Sequence, residues 1–187
     1  NTVKKVFRDV LPNGIQCYSF PKDNINVSGI GYKVGSINDP PNKRGLAHLT
    51  EHILCRESIK YHGRTADILF RKLMGGSDDD INVRTDNVST FYGHNDLRMR
   101  QYMITASDMF ATMLQDRIIN IEGLEIEKSA VLQEYYLHGI DEPITYSDDL
   151  LTQTIYSMNP IRNRIDCEPN ELESMQLKDV RQFVRRY

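Results

Sequence analysis

The sequence predicts an α+β domain with helices packed on one face of a largely antiparallel sheet. Three observations carry this expectation. The amino-terminal part alternates polar and apolar residues around strong turn signals. The carboxy-terminal half repeats its apolar residues at helical spacing. Strands come first, mixed elements next and helices last, an order that argues for segregated layers.

The first stretch reads as antiparallel sheet. "VFRDVLPNGIQCYSF" alternates around Pro12-Asn13-Gly14 and predicts a hairpin. "NVSGIGYKVGS" predicts a third strand, whose glycines signal close packing or a bend. "NDPPNKRG" is a turn-rich break. From about Gly45 to Cys55, Leu46, Leu49, Ile53 and Leu54 fall at helical spacing. "RTADILFRKLMGG" (64–76) predicts a second helix, with Thr65 as its cap and the paired glycines as its stop. "DINVRTDNVSTFYGHN" (80–95) returns to alternation, as two strands or one strand with a bulge. "DLRMRQYMITASDMFATMLQ" (96–115) predicts a long amphipathic helix, and a further one covers about Leu124 to Leu137. "YSDDLLTQTIYS" and "MQLKDVRQFVRRY" supply two more helical segments.

A chain of 187 residues suits a single domain spanning 1–187 and can bury a sizeable core. Its net charge of −3 gives no electrostatic footprint for nucleic acid or an anionic membrane. No apolar run reaches the length of a membrane span, and nothing at the amino end resembles a signal peptide. Cys17, Cys55 and Cys167 are odd in number and widely spaced, which is no disulfide framework and no C-x-x-C metal knuckle. Small buried thiols in a reducing intracellular compartment are the expectation. Cys55 stands apart because it lies just beyond a motif that carries chemistry.

That motif is in "GLAHLTEHIL" (45–54). On a helix His48 and His52 are one turn apart and share a face, so both imidazoles can meet one cation. Glu51 lies on the flank of that face, where a carboxylate can take a proton from water at the cation's open position. Two imidazoles plus a carboxylate suit zinc. A third ligand is sought in "GLEIEKSAVLQEYYLHG", where Glu127 and Glu134 are almost two helical turns apart and lie on one stripe. Either could ligate while the other orients a histidine; exposed salt bridges are the plainer reading of the same pair. His62, His94 and His138 are not at ligand spacing and read as surface or satisfied polar positions. Met99, Met103, Met109 and Met113 read as core packing.

With these residues in view, the chain resembles the M16, or pitrilysin-type, metallopeptidases. H-x-x-E-H is the inverted form of the common zinc-protease motif. "LPNG" resembles the family's opening hairpin, and "GSINDPPNKRGLAHLTEHIL" its approach to the zinc helix. "GGSDDDINVRT" resembles its Gly-Gly and Asn-x-x-Thr strand, and "EKSAVLQE" its paired-glutamate helix. The resemblance implies an M16 peptidase-like half-domain. It makes His48, His52 and Glu134 ligands of one Zn2+ per chain, Glu51 the general base and Glu127 a carboxylate behind the ligands. It places Asn82 and Thr85 on an edge strand where an extended peptide substrate would add as a β-strand. The implied activity is endopeptidase cleavage of extended peptides or unfolded segments; the rival expectation is a catalytically dormant structural or recognition subunit of a larger assembly. The family pairs such a domain with a complementary M16-like domain or subunit that supplies an Arg and a Tyr, and continues past the position of "FVRRY" into a closing strand. A chain short of both is the expectation. "NPIRNRIDCEPNEL" also lacks the glycine usual before the penultimate helix.

Overall fold

The computed structural model describes residues 6–19, 26–74, 81–96, 100–140, 143–157 and 159–187. Strands β1 (Phe7–Val10) and β2 (Gln16–Ser19) form the predicted hairpin, closed by Gly14 N–H donating to the Leu11 carbonyl at 2.8 Å. β3 (Asn26–Tyr32), β4 (Ile81–Thr85) and β5 (Thr90–Asp96) form a second antiparallel sheet in the order β3-β5-β4.

The amino-terminal strands are therefore divided between two sheets. β3 pairs with β5 from Asn26↔Asp96 to Tyr32↔Thr90 rather than extending the hairpin. Side chains fasten this pairing. Ser28 Oγ lies 2.7 Å from Nε2 of the fully buried His94 and 2.8 Å from Ser107 Oγ. Gly29 packs beneath the Phe91 ring, where a Cβ would sit 2.3 Å from Cζ. Close packing, of the two readings offered by the β3 glycines, is what occurs at Gly29.

Thr90, Tyr92 and His94 share one face of β5, and that face is buried. Tyr92 packs with Leu69 and Phe70 of α2 (Ala66–Met74) and with Met109, Phe110 and Met113 of α3 (Arg100–Gln115). Asp96 ends β5 instead of opening the helix after it, because it pairs with Asn26. A second core joins α1 (Leu46–Leu54), α4 (Ile121–Glu134), α6 (Pro169–Ser174) and α7 (Leu177–Arg186) through Leu49, Ile53, Leu124, Val131, Leu172 and Val180. Leu54 of α1 enters the first core, so α1 lies between the sheet layer and the helical layer.

Helix α4 starts at Ile121 rather than near Leu124, because Asn120 caps it: its Oδ1 accepts Gly123 N–H at 2.7 Å. The helix ends at Glu134 in a widened, π-helical turn over Tyr135–Ile140, followed by α5 (Pro143–Ile155). Among the described residues no helix is long and apolar enough to cross a membrane. His62 is exposed, while the side chain of His138 lies outside the described residues. So do Met99, the side chain of Met103 and the paired glycines after α2. Cys17 and Cys55 are half-buried, Cys167 is buried, and all three are free thiols.

The loop before α1 aims that helix. Gly45 sits at φ +83°, a conformation costly for residues with a Cβ. A Cβ there would also lie 2.7 Å from the backbone of Cys167. Asp39 reaches back to accept Gly45 N–H at 2.7 Å and Ala47 N–H at 2.8 Å, satisfying donors that the helix start leaves over. Arg44 holds Glu171 of α6 through its side chain and its backbone N–H, and Lys43 pairs with Asp179 of α7. Two stability losses follow, both read by chemical denaturation of the purified protein. Asp39→Ala should cost on the order of 2 kcal/mol by stranding amide donors. Gly45→Ala should cost about as much or more, from left-handed strain plus the clash with Cys167.

Candidate metal centre

Helix α1 presents His48, Glu51 and His52 to a cleft of about 480 Å³ that is also lined by Val83, Thr85, Glu134 and Asp166. The one-turn spacing does what geometry requires: the Nε2 atoms of His48 and His52 stand 3.2 Å apart. Glu134, from the end of α4, brings Oε2 to 3.5 Å from His48 Nε2 and 3.4 Å from His52 Nε2. One ligand atom from each of the three lies within 4.8 Å of the others. Two neutral-capable imidazoles and a carboxylate converging on one point fit a zinc ion with an open coordination position.

Glu127 does not join that convergence. It faces the other ring nitrogen of His52, with Oε2 3.3 Å from Nδ1, while its Oε1 accepts from Arg56 Nη1 at 3.0 Å. The two glutamates of the stripe thus occupy different positions. Glu134 lies on the side of the Nε2 atoms and Glu127 behind His52. Glu51 is almost fully buried, and its Oε2 accepts the Thr85 hydroxyl at 2.6 Å. Thr85 Oγ1 lies 3.3 Å from Thr90 Oγ1, and Thr90 donates to the Val34 carbonyl at 2.8 Å.

Electrostatics sharpen these placements. Burial pushes the Glu51 carboxyl up to about 7, opposed by the Thr85 hydroxyl and by His52. Burial, then the neighbouring His52, pulls His48 below the usual histidine range, against Glu134 and Asp166. For His52 burial acts downward too, but the bonds from Glu127 and Glu134 prevail and hold it up to about 10. Burial raises the Cys55 thiol well above its usual range, helped by Glu51 and Glu127.

Thr85 and Asn82 both belong to β4, whose outer edge has no neighbour among the described strands. Only Thr85 reaches the cleft, and its hydroxyl is engaged with Glu51. Asn82 pairs with Gly93, is half-buried, and by strand alternation points to the opposite face. The structure therefore gathers His48, Glu51, His52, Thr85, Glu127 and Glu134 and leaves Asn82 aside. It also brings in residues that sequence reasoning missed. Arg56 follows His52 by one helical turn, a spacing that could have suggested it. Asp149, Arg164 and Asp166 come from α5 and an irregular loop, where no periodicity marks them.

The profile of the family described as Insulinase (Peptidase family M16) matches residues 19–168. Human nardilysin is 34% identical over 104 residues, which is 56% of this chain and 9% of nardilysin. An uncharacterized zinc protease of Streptomyces coelicolor is 23% identical over 184 residues, 97% of this chain and 39% of that protein. Among solved structures, a protease from Helicobacter pylori superposes with a TM-score of 0.83 at 23% identity, covering 97% of this chain and 43% of that one. The chain spans less than half the length of these relatives. With a fold shared along almost its whole length and a family profile that takes in the helix of His48 and His52 and the helix of Glu134, the chain belongs to peptidase family M16.

Proposed function

We propose that this chain is the catalytic domain of a zinc endopeptidase, acting on extended peptides or unfolded segments. The observation that carries the reading is the convergence of His48, His52 and Glu134 beside a buried Glu51. Those three side chains would hold one zinc ion. When bound, zinc supplies a Lewis acid that polarises a peptide carbonyl and makes water a better acid.

The rest falls to the protein. Glu51 takes the proton of the attacking water and returns it to the departing amine nitrogen. Its carboxylate is buried at the cleft wall, within the enclosure where both transfers would take place. Thr85 holds one carboxylate oxygen and so sets the plane in which Glu51 works. Glu127 accepts from His52 Nδ1 and keeps Nε2 turned to the cleft, with Arg56 steadying the carboxylate. An extended substrate would pair along the outer edge of β4, gaining main-chain hydrogen bonds.

A complementary M16-like domain or subunit belongs to this proposal. Its support is the chain's share of its relatives' length.

With the complementary segment present, Glu51→Gln should leave zinc stoichiometry unchanged, measured by metal analysis, while lowering peptide turnover by about 10²–10⁴-fold. Undiminished turnover would overturn the role given to Glu51. Residues 1–187 alone should cleave a quenched fluorescent peptide weakly or not at all, and adding the complementary segment should restore cleavage. Full activity in the isolated chain would remove the need for a second half.

A further inference from the structure

A histidine that binds metal through Nε2 keeps its proton on Nδ1, and that N–H needs an acceptor. For His52 the acceptor is Glu127, itself held by Arg56. His48 Nδ1 is closed to solvent and has no hydrogen-bond partner among the described residues. The carboxylate facing it is Asp166, with Oδ1 at 3.7 Å.

Asp166 has the surroundings of a built-in partner. Its Oδ2 lies 4.0 Å from Arg164 Nη2, and Arg164 Nε lies 3.0 Å from Asp149 Oδ2 on α5. The Arg164 guanidinium lies 5.4 Å over the ring of Tyr135, the residue after Glu134. The order imidazole, carboxylate, arginine therefore occurs on both sides of the site. The next residue, Cys167, is fully buried and donates its thiol to the Gly45 carbonyl at 3.1 Å. That contact ties the loop to the start of α1 and so sets Asp166 beside His48.

We propose that Asp166 is a positioning residue that accepts the Nδ1 proton of His48 and directs Nε2 to the metal, as Glu127 does for His52. The inference rests on the zinc reading given above. At 3.7 Å the pair is longer than a hydrogen bond, and closing it takes a shift of about 0.8 Å. The Asp166 side chain is 29% exposed and lies in a loop, so it has room to make that shift. The added negative charge also strengthens His48 as a ligand.

The test compares wild type with Asp166→Ala, Asp166→Glu and Glu127→Gln. Zinc affinity is measured by chelator competition, and the visible spectrum is recorded on Co2+ substitution. Asp166→Ala should bind zinc about 10–100-fold more weakly, in the range seen for outer carboxylates, and shift the cobalt bands. Asp166→Glu should recover most of the affinity, and the metal-free melting temperature of Asp166→Ala should match wild type. Unchanged affinity and spectrum in Asp166→Ala overturn the inference. So does a loss that Glu does not rescue and that tracks a fall in metal-free stability. Wild type that takes up no stoichiometric zinc overturns the zinc reading and this inference together; a failure confined to the Asp166 variants overturns only the inference.

Discussion

Helix α1 is buried between two layers, yet it carries two imidazoles and a carboxylate. Polar groups out of reach of water must be paired inside the protein, and this constraint organises everything around the helix. Thr85 answers Glu51 from the sheet, and Glu127 answers His52 from α4. Glu134 faces both imidazoles from the end of that same helix. The apolar side of α1 does the opposite task. Leu46, Leu49 and Ile53 join the helical core, and Leu54 joins the core under the sheet.

A helix with partners on two sides must also be set in rotation and along its axis. The loop before α1 does this with backbone geometry and charge. Gly45 turns the chain through a left-handed conformation hard against Cys167, and Asp39 accepts two amides of the first turn. Lys43 and Arg44 extend the connection to α6 and α7. The surface ion pairs add little stability individually. Their value lies in fixing where a buried helix sits, because a small rotation would separate His48 and His52 from Glu134.

Local periodicities proved easy to read, since they depend on contacts within one element. The hairpin around Asn13-Gly14, α1, α2 and the strand pair β4–β5 all occur. Boundaries slipped where a side chain outside the pattern decided them. Asn120 starts α4 early, and pairing with Asn26 keeps Asp96 in β5. Strand partners were less legible still. The sequence marked β3 as a third strand without naming its partner; Ser28, His94 and Ser107 bind it to β5 and α3. The same polar network explains His94, a buried histidine away from the cleft whose Nε2 meets Ser28 Oγ.

At the site the division follows from the range of the forces involved. His48, Glu51 and His52 were determined by sequence alone, because one helical turn places them together whatever surrounds the helix. The stripe of Glu127 and Glu134 was determined the same way, but not the part each plays, for both lie on one face. Only the docking of α4 on α1 decided that Glu134 faces the two Nε2 atoms and Glu127 faces Nδ1 of His52. Thr85 was expected on an edge strand, and tertiary packing turned its hydroxyl to Glu51. Asp166 and Arg164 could not be seen in advance. They sit in a loop with no repeat, and the buried contact of Cys167 with Gly45 is what carries them to the cleft.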